Sequence, residues 1–152
     1  MTHDGGLRLH MERVLGAAPS VIFQALTEPR KLATWWGPDG FGIPSVESDL
    51  RPGGGYRIAM QPPEGDLFYL VGEFLEVEPP QRLSYTFRWE DPDPEDRETV
   101  VTLSLRDIGG TSAELVFTQG DFATERRRAL HEEGWTQSLD KLEQLMSSAA
   151  SP

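Results

Sequence analysis

The chain has 152 residues, 26% charged and 38% hydrophobic, with a formal net charge of −11 and no cysteine. That length suits one domain around a single core, and the balance is that of a globular protein. The negative field argues against nucleic acid and anionic membrane surfaces, which are held through Lys/Arg–phosphate contacts. The missing thiols exclude disulfides, zinc–thiolate sites, iron–sulfur clusters and cysteine nucleophiles.

No apolar run approaches the ~20 residues of a membrane span, so no membrane insertion is expected. The start "MTHDGG" lacks a basic region followed by an apolar segment, and a cytoplasmic protein is expected. "LRLHMERVL" alternates strictly, with Leu7, Leu9, Met11 and Arg13 on one face and Arg8, His10 and Glu12 on the other. That is a half-buried strand. "APSVIFQAL" reads as a short helix, with Pro19 suited to its first turn and Ser20 a capping type. "TEPRKLATWW" reads as a second, with Pro29 near its start and Gly37-Pro38 stopping it. Alternating segments follow at Ile43–Asp49, Tyr56–Gln61, Leu67–Val77, Arg82–Trp89, Thr99–Asp107 and Ser112–Gln119. Turn-forming stretches such as "RPGGG", "EPPQ" and "DIGG" separate them, which predicts antiparallel neighbours. Last comes a helix of about seven turns, with Asp121 as its expected N-cap. Trp135, Leu139, Leu142 and Met146 form its apolar stripe. Gly134 sits inside it at a cost of ~1 kcal/mol relative to Ala, which a close approach or room for another body should repay. The predicted fold is α+β: a seven-stranded antiparallel sheet curved around a long C-terminal helix, with two short helices after the first strand. Residues 7–147 form the single domain, and 1–6 and 148–152 are loose tails.

In order, "RVLGAAPSVIFQALTEPRKLATWW", "DLRPGGGYR", "GEFLEVEPPQRLSYTFRW" and "EEGWTQSLDKLEQL" resemble the bacterial proteins related to the C-terminal domain of the activator of heat-shock protein 90 ATPase. That family sits in the START-like, helix-grip (SRPBCC) superfamily, with the polyketide cyclases and the birch-pollen-allergen type. The likeness runs from about Leu7 to Met146. It implies the helix-grip fold, a deep hydrophobic cavity and small-molecule or lipid binding. It transfers no catalytic set. Glu28 stands where an Asp is more usual in the family, a change that touches helix capping. The N-terminal domain of the eukaryotic co-chaperone has no counterpart, so ATPase activation is not expected.

Tyr85, Phe87 and Trp89 share one face of their strand, and Tyr56 and Ile58 share one face of theirs. Phe117 lies on the last strand, and Trp135 and Leu139 on the helix stripe. With Trp35, Trp36 and Phe41 these residues can line a cavity and its mouth, because ligand sites are mostly apolar with a few polar groups. A packed core is the alternative for each. Trp36 is expected in the core and Trp35 at the cavity edge.

Arg13 lies on the apolar face of its strand, which is costly unless it is paired. It either anchors a ligand carboxylate or pairs with Glu73 or Glu133. His131, four residues before Trp135, is the best-placed group for acid–base chemistry. "HEEGW" lacks the second histidine of a zincin, and with His3 and His10 at the N-terminus no metal site is expected. Arg126-Arg127-Arg128, among Glu125, Glu132 and Glu133, reads as a solvated helix face. "DPDPEDRE" lacks the glycine turn and distant glutamate of a calcium loop, so it reads as a solvated hairpin loop. "RPGGGY" lacks the Lys-Ser/Thr of a phosphate loop, and no G-x-S-x-G elbow is present. Neither a catalytic residue nor a cofactor is expected.

The leading expectation is a carrier or sensor for a small apolar or amphipathic molecule. A cyclase or aromatase would use the same cavity, with Arg13, Glu73 or His131 moving protons. An interaction module, either a chaperone accessory or a homodimer, would present Trp36, Phe41 and the Gly-Pro turn as an exposed apolar patch.

Overall fold

The structure, a computed structural model, describes residues 7–150. The tail expected at 1–6, with His3, lies outside these residues, as do 151 and 152. Strand β1 (Leu7–Leu15) keeps the expected alternation, with Leu9 and Leu15 buried. Helices α1 (Pro19–Thr27) and α2 (Pro29–Leu32) follow. Pro19 opens α1, but Ser20 does not cap it: Ala18 holds the cap position without a side-chain bond. The second helix is a single turn, shorter than its pattern suggests. Its chain continues as turns through Trp35, with Trp36 N–H still bonded to Leu32 O.

Six strands then run antiparallel: β2 (Val46–Ser48), β3 (Gly55–Met60), β4 (Phe68–Glu78), β5 (Arg82–Trp89), β6 (Thr99–Ile108) and β7 (Ser112–Phe122). The sheet order is β1-β7-β6-β5-β4-β3-β2, a meander closed by β1 pairing with the last strand. Strand β2 is shorter than the expected Ile43–Asp49. Pro44 has no N–H to give a ladder, so regular pairing starts only beyond it. Strand β7 runs past the expected Gln119, so that Phe122 faces Leu7 of β1.

Helix α3 (Glu125–Ala150) lies across the concave face, mainly against β1 and β7. Asp121 does not cap it. It belongs to β7 and pairs with Arg8 Nε at 3.1 Å. Thr124 takes the cap instead, its hydroxyl oxygen accepting the Arg127 N–H at 3.1 Å. The helix also continues to Ala150, past the domain end expected at 147. The stripe Trp135, Leu139, Leu142 and Met146 is buried against Leu9, Leu15, Leu115 and Phe117 in one core. Fully burying each such aliphatic side chain contributes roughly 1.5–3 kcal/mol. No helix among the described residues is long and apolar enough to cross a membrane.

Candidate functional site

The core does not fill the space between α3 and the β3–β5 side of the sheet. A cavity of about 500 Å³ remains there. Its sheet wall is Met60, Phe68, Phe87 and Trp89. Register brings them together: Met60 stands opposite Phe68, Leu70 opposite Trp89, and the period-two pleat puts Phe87 on the same face as Trp89. The helix wall is Arg127, His131 and Trp135, spaced i, i+4, with Gly134 and Ser138 beside them. The third wall is the turn from Trp36 through Pro38 to Phe41, where Gly37 takes a positive φ of 94° that a side chain would resist. Tyr69, Asp91, Asp93, Asp96 and the half-exposed Leu130 complete the lining.

Ring contacts hold these walls. Phe68 and Phe87 each lie 5.3 Å from Trp89 between centroids, and Trp36 meets Trp135 edge-on at 5.1 Å. Such geometry suits the ring quadrupoles. Behind the wall, Trp135 Nε1 donates to Gln119 Oε1 at 2.8 Å, and Gln119 Nε2 donates to Thr99 Oγ1 at 2.9 Å. Gln119 is only 1% exposed, so without these bonds its amide would be a buried, unpaired polar group. The turn is tied to the helix as well: Lys141 Nζ donates to Gly37 O at 2.7 Å and Asp39 N–H to Gln137 Oε1 at 2.9 Å. Burial lowers the Lys141 pKa.

The polar groups are gathered on one side. Arg127 Nη2 lies 2.9 Å from Asp93 and its Nη1 3.5 Å from Asp96, while its Nε is buried without a partner. The middle arginine of the basic triplet is therefore not a solvated one. It clasps the β5–β6 loop to the start of α3. His131 packs among Phe87, Trp89 and Phe122 at 5.4, 6.1 and 4.8 Å. Burial lowers its pKa to about 4; Asp96 opposes that shift and Arg127 adds to it. The ring is thus neutral at pH 7, and among the described residues no carboxylate hydrogen-bonds it.

Of the residues singled out from sequence, Phe41, Phe87, Trp89, His131 and Trp135 come together in this cavity. Tyr56, Ile58 and Tyr85 instead border a separate crevice of about 20 Å³. Phe117 and Leu139 are buried in the core, Phe117 4.4 Å from the Trp135 ring. Arg13 does not reach the cavity, nor does it pair with Glu73 or Glu133. It bonds Asp140 at 2.8 Å and Glu143 at 3.1 Å, because these carboxylates ride the α3 turns that cross β1. The two tryptophans exchange the expected roles. Trp35 is the core residue, 1% exposed, with Nε1 donating to Ala25 O at 2.8 Å. Trp36 lines the cavity and, at 6% exposed, is not the surface patch an interaction module would need. Met60, Phe68, Arg127 and the loop carboxylates were missed. Met60 continues the Tyr56–Ile58 phase and Arg127 sits one helical turn before His131, so those two carried a readable signal. Asp93 and Asp96 lie in an irregular loop and carried none.

A curved antiparallel sheet gripping a long helix, with an aromatic cavity between them, defines a helix-grip protein. The family model described as Activator of Hsp90 ATPase homolog 1-like protein matches residues 16–147, and the chain belongs to that family. No curated protein matches the sequence. Among solved structures, a Chromobacterium violaceum protein is 28% identical, with a TM-score of 0.81 over 91% of this chain and 96% of its own. A Silicibacter pomeroyi protein bearing the family's name is 31% identical, with a TM-score of 0.81 over 93% and 99%. A Nitrosomonas europaea protein is 29% identical, with a TM-score of 0.77 over 94% and 96%.

Proposed function

We propose that the protein is a non-enzymatic carrier or sensor that binds a small apolar or amphipathic molecule between the sheet and α3. One observation carries this reading: an aromatic-walled space of about 500 Å³ beside the buried core. Pockets for small ligands are of this size and character. An empty space of that volume would forfeit a large share of dispersion and transfer energy, at ~24 cal/mol per Å³ of void, unless water or a ligand enters it.

Catalysis has weaker support. The Arg127 guanidinium is engaged by Asp93 and Asp96, and among the described residues no carboxylate bond orients His131, so no paired, mutually activated groups of acid–base catalysis are assembled from them. Native mass spectrometry of freshly purified protein, followed by denaturing extraction, tests the reading. The expected result is a co-purified apolar or amphipathic compound that is lost on denaturation. An apo protein that also leaves its tryptophan emission unchanged against a panel of such compounds would refute it.

A further inference from the structure

We propose that the cavity selects a cation: its occupant carries a protonated amine or quaternary ammonium on an apolar body, and the positive group sits where Trp89 meets the Asp91 rim. This rests on the binding reading above and adds the charge of the ligand.

The lining sets that charge. Three carboxylates, Asp91, Asp93 and Asp96, face one guanidinium, Arg127. The imidazole of His131 is neutral at pH 7 and adds nothing to the positive side. An anionic head would depend on Arg127, whose charge is already met by Asp93 at 2.9 Å and Asp96 at 3.5 Å, although its Nε stays without a partner. It would approach that guanidinium against the combined charge of three carboxylates. A cation meets no such obstacle. Asp91 is exposed and has no ion pair or hydrogen bond among the described residues, so its charge is available.

The apolar walls favour the same sign. Indole faces attract ammonium groups through their quadrupole, and Trp is the strongest of the aromatic residues in this respect. Trp36, Trp89 and Trp135 all line the space. A neutral imidazole can also accept a hydrogen bond from an ammonium N–H, and the His131 ring nitrogens make none within the described residues. The net charge of −11 raises the local concentration of cations before they reach the mouth.

The test is isothermal titration calorimetry at neutral pH and physiological ionic strength with three probes built on one ring system: naphthylethylamine, naphthylethanol and naphthylacetate. The amine should bind tightest and the carboxylate weakest, with a ratio of about tenfold or more between them. Asp91→Asn should cut that ratio by roughly threefold or more. Glu78→Gln removes the same charge at the opposite end of β4 from Phe68 and should leave the ratio unchanged. The selectivity is overturned, with the binding reading intact, if the alcohol binds and the amine binds no tighter. It is overturned equally if Glu78→Gln lowers the ratio as much as Asp91→Asn. If none of the three probes binds, the cavity reading itself fails and the selectivity goes with it.

Discussion

The aromatic interface has two ends that use the same kinds of side chain and differ in character. At one end Tyr56, Phe74 and Tyr85 close on each other, with centroids 5.3–6.2 Å apart, and leave about 20 Å³. Burial there pushes both phenols well above their ordinary pKa, and Tyr56 Oη donates to Thr86 O at 2.6 Å. At the other end Phe68, Phe87, Trp89 and Trp135 stand around about 500 Å³. What lies opposite makes the difference. Leu26 and Leu32 of the short helices fill the first end, whereas the second is faced by the 36–41 turn and by Gly134, which offers no side chain. Aromatic content therefore does not distinguish a core from a cavity; the shape of the facing element does.

The contrast can be broken most sharply at Gly72. A Cβ there would run into Thr86 O and lie 2.6 Å from the Tyr56 ring. Gly72→Ala should cost at least about 4 kcal/mol in urea unfolding, because a strand backbone cannot yield as a flexible side chain can. Next comes the tryptophan pair. Trp35→Ala should cost about 3–5 kcal/mol, and Trp36→Ala about 1–2 kcal/mol less, because the second merely enlarges a space that already exists. Equal losses would mean that Trp36 packs as fully as Trp35.

His131 gives a pH signature of the hollow end. Its folded pKa, about 4, lies below its ordinary 6.5, so the unfolded chain takes up the proton first. Its effect is nil above about pH 7, destabilises progressively as pH falls through 6.5, and levels off below about 4, with a total of roughly 3 kcal/mol. His131→Phe should flatten this part of the curve of urea midpoint against pH. An unchanged slope would show that the imidazole is solvated. The smallest effect is expected at Gly134. An added methyl would meet Pro38 Cγ at 3.5 Å, an ordinary contact. Gly134→Ala should therefore stabilise the protein by up to ~1 kcal/mol from helix propensity while trimming the cavity. Destabilisation would show that the helix and the Pro38 turn are closer than van der Waals packing allows.

The amino-acid pattern settled the order of elements, the alternation of β1, the extent of β5 and the buried face of α3. Each of these follows from a period of 2 or 3.6 residues within one segment, and such a period needs no knowledge of the partner. Boundaries were harder where a cap or a proline intervened, as at Thr124 and Pro44. Tertiary structure alone decided which aromatics border empty space, which of Trp35 and Trp36 faces it, and that Arg13 turns to Asp140 and Glu143. It also drew Arg127, Asp93 and Asp96 together from segments 31 or more residues apart. Periodicity reports which face of its own element a residue occupies. Depth along the groove and the identity of a charge partner depend on how distant elements dock, and that is fixed only once the sheet curls around the helix.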